Sequence, residues 1–162
     1  GRQQTYDDFC VALKMKNPDR ILLLVDAEAH VQEHGRSWLH LKNRKGDGWD
    51  QPENVSDDHA YMMVQTMEAW LICDPAAWKK WKSTIDTSSL PNHKNIEIID
   101  KPKLNETCET MFKSIGASYK DNKRINGFGI LKYVQPELVA QKSKEAQRFF
   151  NYLKNRTSQI EK

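Results

Sequence analysis

The chain has 162 residues, 38% of them hydrophobic and 29% charged, and a net charge of +3. That length suits one domain with a real core, and five each of Trp, Tyr and Phe exclude a disordered chain. The longest apolar run, Ile21 to Val25, is far below the ~20 residues of a membrane helix, and so mild a charge does not by itself signal nucleic-acid binding.

The chain opens on Gly1-Arg2-Gln3-Gln4, which carries no secretory pattern and reads as a cut rather than a natural start. Thr5 is the predicted N-cap of a first helix. Asp7 and Asp8 lie in its first turn, Tyr6, Phe9, Cys10 and Leu13 at helical spacing, and Asn17-Pro18 at its end. Ile21 to Val25 follows as a strand covered on both faces, the pattern of a parallel sheet between helices. Residues 30–58 are polar and irregular, with one helical turn around Trp38-Leu39 and Leu41; a connection this long is often functional.

Ala60 to Gln65 reads as a second strand, and Met67 to Ile72 as either a short helix or more strand. Asp74-Pro75 is a helix start, with Asp as cap and Pro in the first turn. Ser83 to His93 is a loop, and Asn95 to Ile99 is expected to form a short strand. A helix follows from Pro102 to about Ile115, stopped by Gly116. Two more are expected at Gly127 to Val134, despite two helix-weakening glycines, and at Ser143 to Lys154, with a frayed tail from Asn155 to Lys162. Cys10, Cys73 and Cys108 show no paired spacing and suit free thiols in a reducing cytoplasm.

Asp26 and Glu28 lie at the carboxyl end of the first strand, where ligands bind in open α/β sheets. One or two carboxylates, with water and substrate phosphate, suffice for Mg²⁺. The bland alternative is that Asp26 caps the following turn and Glu28 is solvated. Glu68 sits among Met67, Ala69, Trp70 and Leu71, so burial obliges it to find a metal, a donor or a basic side chain. Lys120, Lys123 and Arg124 form a basic turn before a helix that could meet phosphate, or a solvated loop; Lys101 and Lys103 share that ambiguity. The histidines show no metal-binding spacing, and Trp38, Trp49, Trp78 and Trp81 suit a core better than base stacking.

Several segments together resemble the RloG-like proteins, a prokaryotic family of unknown function related to Toprim domains. They are Val25-Asp26-Ala27-Glu28, Gly48-Trp49-Asp50-Gln51-Pro52, Met63-Val64-Gln65-Thr66-Met67-Glu68-Ala69-Trp70, Lys101-Pro102-Lys103, Tyr119-Lys120 and Arg148-Phe149-Phe150. The resemblance spans nearly the whole chain. It implies a Toprim-like α/β fold over residues 1–154: a small, mostly parallel sheet flanked by helices, mainly helical from 90 onward. It also implies Mg²⁺, with Mn²⁺ as a substitute, held by Asp26 and Glu28 with Glu68 assisting, and a nuclease-type activity linked to defence. The implied partners are nucleic acid or a neighbouring ATPase, with no membrane.

The family pattern begins with a strand and an acidic Gly-rich turn carrying a catalytic Glu, and this chain begins after them. The expectation is therefore a piece inactive alone, which pairs with a second copy through exposed strand edges. The alternatives are a non-catalytic interaction module for an ATPase and, more remotely, a phosphotransferase or phosphatase for small molecules.

Overall fold

The computed structural model describes residues 1–15 and 21–160. Two short strands form its sheet. β1 (Leu23–Asp26) runs parallel to β2 (Ala60–Met63), with Leu23 opposite Ala60 and Asp26 opposite Met63. A two-stranded sheet is marginal alone, so its stability has to come from what covers its faces. Alternation along the strands divides that task. Leu23, Val25, Ala60 and Met62 face a layer holding Phe9 of α1 (Arg2–Leu13) and Trp38 and Leu41 of α2 (Ser37–Asn43). Tyr61 faces the other way, with the rings of Phe149 and Tyr152 of α8 (Lys144–Ile160) packed against it at tilted angles.

The remaining helices complete that second layer: α3 (Met67–Leu71), α4 (Pro75–Trp81), α5 (Lys101–Lys113), α6 (Lys123–Leu131) and α7 (Pro136–Ala140). Their core is built on Trp70, Trp78, Leu104, Met111, Phe112 and Ile130. The architecture is therefore a mixed α/β fold with a small parallel sheet between helices and a helical C-terminal part, as the sequence predicts.

The Asp74-Pro75 start is realised: Asp74 Oδ1 accepts from the N–H groups of Ala76 and Ala77, and Oδ2 accepts from Gln135 N–H. The ambiguous stretch after β2 is helix α3, and Gly116, at φ +69°, ends the helix before it. Trp38, Trp49 and Trp78 are core residues, and Trp81 packs against that core.

Other expectations need correction. Thr5 is not a cap but lies inside α1, whose first turn is anchored by Arg2 forking onto Asp47 at 2.7 and 2.8 Å. The expected stop at Asn17-Pro18 falls outside the described residues. Both strands differ at their ends from the apolar runs, because pairing rather than hydrophobicity defines them: the first is displaced to end at Asp26, the second stops at Met63. Asn95 to Ile99 is a turn, not a strand. Asn95 Oδ1 accepts from Glu97 N–H, and Ile99 N–H returns to the Ile96 carbonyl.

The helix expected at Gly127 begins earlier, at Lys123, and α8 continues to Ile160 through the stretch expected to fray. Helix α7 is additional to the predicted elements. The glycines of α6 have a packing reason. A Cβ at Gly127 would run into Met67 Cε, and one at Gly129 would lie 2.8 Å from Trp81 Nε1. Their absence lets α6 approach α3 and α4.

Candidate functional site

Parallel pairing puts the carboxyl ends of both strands at one end of the sheet. Ala27 N–H donates to Met63 O at 2.9 Å and Glu28 N–H to Gln65 O at 2.7 Å, so the two segments stay aligned past the strands. The chain then enters α3 directly, bringing Glu68 beside the end of β1. Asp26 Oδ1 accepts the Met67 N–H at 2.7 Å, tying the acid to the first turn of that helix. Oδ2 has no hydrogen-bond partner among the described residues.

A cleft of about 480 Å³ opens at this point. Its polar lining is Asp26, Glu68, Lys123 and Arg124, and its apolar lining comes from both strands, α3 and α6. Glu68 is 1% exposed. Its Oε1 accepts from the Tyr119 hydroxyl at 2.9 Å and lies 3.0 Å from Lys123 Nζ. Burial opposes its ionisation, but the Lys123 ammonium beside it counters that, and its pKa lies below the ordinary value. Asp26 goes the other way. Burial pushes its carboxyl up to about 6, and the charges of Glu68 and Glu28 add to the rise, against the Met67 N–H and Lys123.

Of the residues singled out from sequence, Asp26, Glu68, Lys123 and Arg124 come together in this cleft. Glu28 is close enough to raise Asp26, but its carboxylate pairs with Lys101 Nζ of α5. The backbone at Glu28 is left-handed, φ +63°, which turns the chain away from the sheet. Lys120 lines a separate recess with Glu106 and Glu109. Neither local alternative for the acidic pair is realised: Asp26 holds a helix 41 positions away, and Glu28 is ion-paired.

No group of three or more His, Cys, Asp or Glu among the described residues is arranged to hold a metal. A cation here would take one or two carboxylates and bring most of its shell as water, which fits Mg²⁺ and not zinc. Cys73 and Cys108 are buried; burial pushes the Cys73 thiol up to about 12 and raises that of Cys108 as well, so both are poor ligands and nucleophiles.

Sequence reasoning misses Tyr119 as the partner of Glu68, since a Tyr at the edge of a basic turn gives no sign of being fully buried. It also misses a second polar cluster, at the start of α8. Glu145, buried, accepts from Gly35 N–H at 2.9 Å and pairs with Arg148 at 3.1 Å, and Arg148 donates to the carbonyls of Asp57 and Ala60. Glu97 accepts from the Ser143 hydroxyl at 2.6 Å and from Glu145 N–H at 2.9 Å. These contacts stitch the irregular 30–58 segment and the 95–99 turn onto α8.

The molecule is an α/β domain with a carboxylate- and base-lined cleft at the carboxyl end of a parallel strand pair. The chain belongs to the family described as Domain of unknown function (DUF4276), whose model matches residues 3–154. No curated protein and no solved structure matches it. No helix among the described residues is long and apolar enough to cross a membrane.

Proposed function

We propose that this domain handles phosphoesters in the manner of a Mg²⁺-dependent nuclease, with the Asp26 cleft as its site. The observation that carries the reading is the Asp26 carboxyl itself. One of its oxygens has no hydrogen-bond partner among the described residues, it is raised by burial and by two neighbouring carboxylates, and it shares a cleft with Lys123 and Arg124. Crowded negative charge of this kind is relieved by a divalent cation, and the adjacent cations suit a phosphate. Mn²⁺ is expected to substitute for Mg²⁺.

In this reading Asp26 is the principal ligand. Glu68, fixed by Tyr119 and Lys123, acts from the second rank by orienting its surroundings, and Glu28 joins only if Lys101 releases it. A metal bound there would stabilise charge on the phosphate and the leaving oxygen. Lys123 and Arg124 position the phosphate. Cytoplasmic defence against foreign nucleic acid is the biological setting proposed.

The test is titration with Mn²⁺ and Mg²⁺, followed by Trp fluorescence and melting temperature. Binding raises the melting temperature by mass action, and Asp26→Ala abolishes the rise. Absence of any response in the wild type refutes the metal site.

A second reading has its own observation. Glu28 and Glu68 are both engaged by lysines, Lys101 and Lys123, without any metal. That supports a non-catalytic module that partners an ATPase, for which the same titration gives no response.

A further inference from the structure

The cleft has an apolar side as well as a charged one. Beyond its charged end, Leu24, Met63, Met67, Trp70, Phe128 and Leu131 make an apolar wall. Phe128 is 54% exposed, an unusual state for a Phe, and stands one helical turn after Arg124 on α6. Trp70 is 5% exposed, and its indole N–H has no hydrogen-bond partner among the described residues. A void of about 480 Å³ lies within the range of small-ligand sites.

A bare phosphate or a duplex backbone has no use for this wall. A nucleobase does: it is flat, has an apolar face, and is joined through its sugar to a phosphate, as the aromatic Phe128 and the cationic Arg124 line one cleft a helical turn apart on α6. We infer that the cleft takes a nucleotide whose base is unpaired, stacked on Phe128 with its phosphate on Lys123 and Arg124, so that the substrate is single-stranded nucleic acid. This rests on the reading of the cleft as a phosphoester site and narrows it. Base-on-aromatic stacking of this type is insensitive to sequence, and the phosphate contacts make binding salt-dependent.

The experiment is fluorescence anisotropy of the full chain with a labelled 12-nucleotide oligothymidylate, the same strand with abasic spacers, and a duplex of equal length, each with and without Mg²⁺. The expected result is at least tenfold preference for the single strand over the duplex. Phe128→Ala and the abasic strand should each weaken binding by roughly 5- to 100-fold, the range for one lost stack, and their effects should not add. Because Phe128 is exposed, its truncation leaves the core intact, and the abasic strand removes the same contact without touching the protein. Equal affinity for intact and abasic strands, or for single strand and duplex, overturns the inference. If Arg124→Ala still weakens binding in that case, the phosphoester reading stands without it. If no strand binds even at low salt, both fail.

Discussion

Replacing Asp26 with Asn removes a charge and keeps an oxygen for the Met67 N–H, so it isolates the electrostatic part of the site. The carboxyl has its ordinary value of 3.8 in the unfolded chain and about 6 in the folded one. The folded state therefore holds the proton more tightly. Below pH 4 the group is protonated in both states and costs nothing. Between pH 4 and 6 the unfolded chain ionises first, and stability falls as pH rises through the folded value. Above pH 6 the penalty is complete.

The gap between 3.8 and 6 corresponds to about 3 kcal/mol, an upper bound because Asp26 keeps some contact with solvent. Asp26→Asn should thus gain about 1–3 kcal/mol over the wild type at pH 8, with the gain fading to zero near pH 4. Urea unfolding followed by Trp fluorescence at pH 4, 6 and 8 and constant ionic strength measures it. A difference that is flat with pH, or that grows towards acid, refutes the reasoning. The same charge links stability to function: Mn²⁺ should raise the wild-type melting temperature more at pH 7.5 than at pH 5, and should leave Asp26→Asn unmoved.

Lys123→Met strips Glu68 of its cation while leaving Tyr119 in place, and should lose about 1–2 kcal/mol at pH 7. Glu68 has a lowered pKa, so its contribution is present above the unfolded value and lost in acid; the deficit should shrink towards pH 4 in the same urea titrations. Glu145→Ala leaves Arg148 and Gly35 N–H without their buried carboxylate and should cost about 3 kcal/mol, read as a fall in the urea midpoint with the slope unchanged. Gly129→Ala gains up to about 1 kcal/mol in helix propensity but forces Trp81 aside, for a net loss of about 1 kcal/mol by thermal melting. Among the described residues β1 has a strand neighbour on one side only, so association through that edge should give a dimer by light scattering. A monomer at all concentrations counts against it.

The local signals in this chain are those of short-range chemistry, and they are realised where the deciding partner lies within a few residues. Asp74-Pro75 starts a helix because its cap bonds are to the next two or three N–H groups. Gly116 ends one because a left-handed turn is open to it at little cost. The apolar run before Asp26 announces a buried strand because its composition leaves no other place for it. From the same logic, the carboxyl end of that strand is a candidate site before any fold is known.

Tertiary structure decided everything whose partner is distant in sequence. Asn95 to Ile99 has the apolar content of a strand, yet Glu97 is claimed by Ser143 and by the backbone of Glu145, 48 positions on, and the segment turns instead. Asp26 and Glu28 are two residues apart and look like one pair. Folding sends the first to Met67 and the second to Lys101, and replaces the pair with Asp26 and Glu68, 42 positions apart. Lys120 leaves the basic turn for another recess while its neighbours Lys123 and Arg124 face the acids. A carboxylate's pKa, its ligand capacity and its partner are set by the few ångströms around it. Within a covered sheet those ångströms are filled by residues that no local pattern brings together.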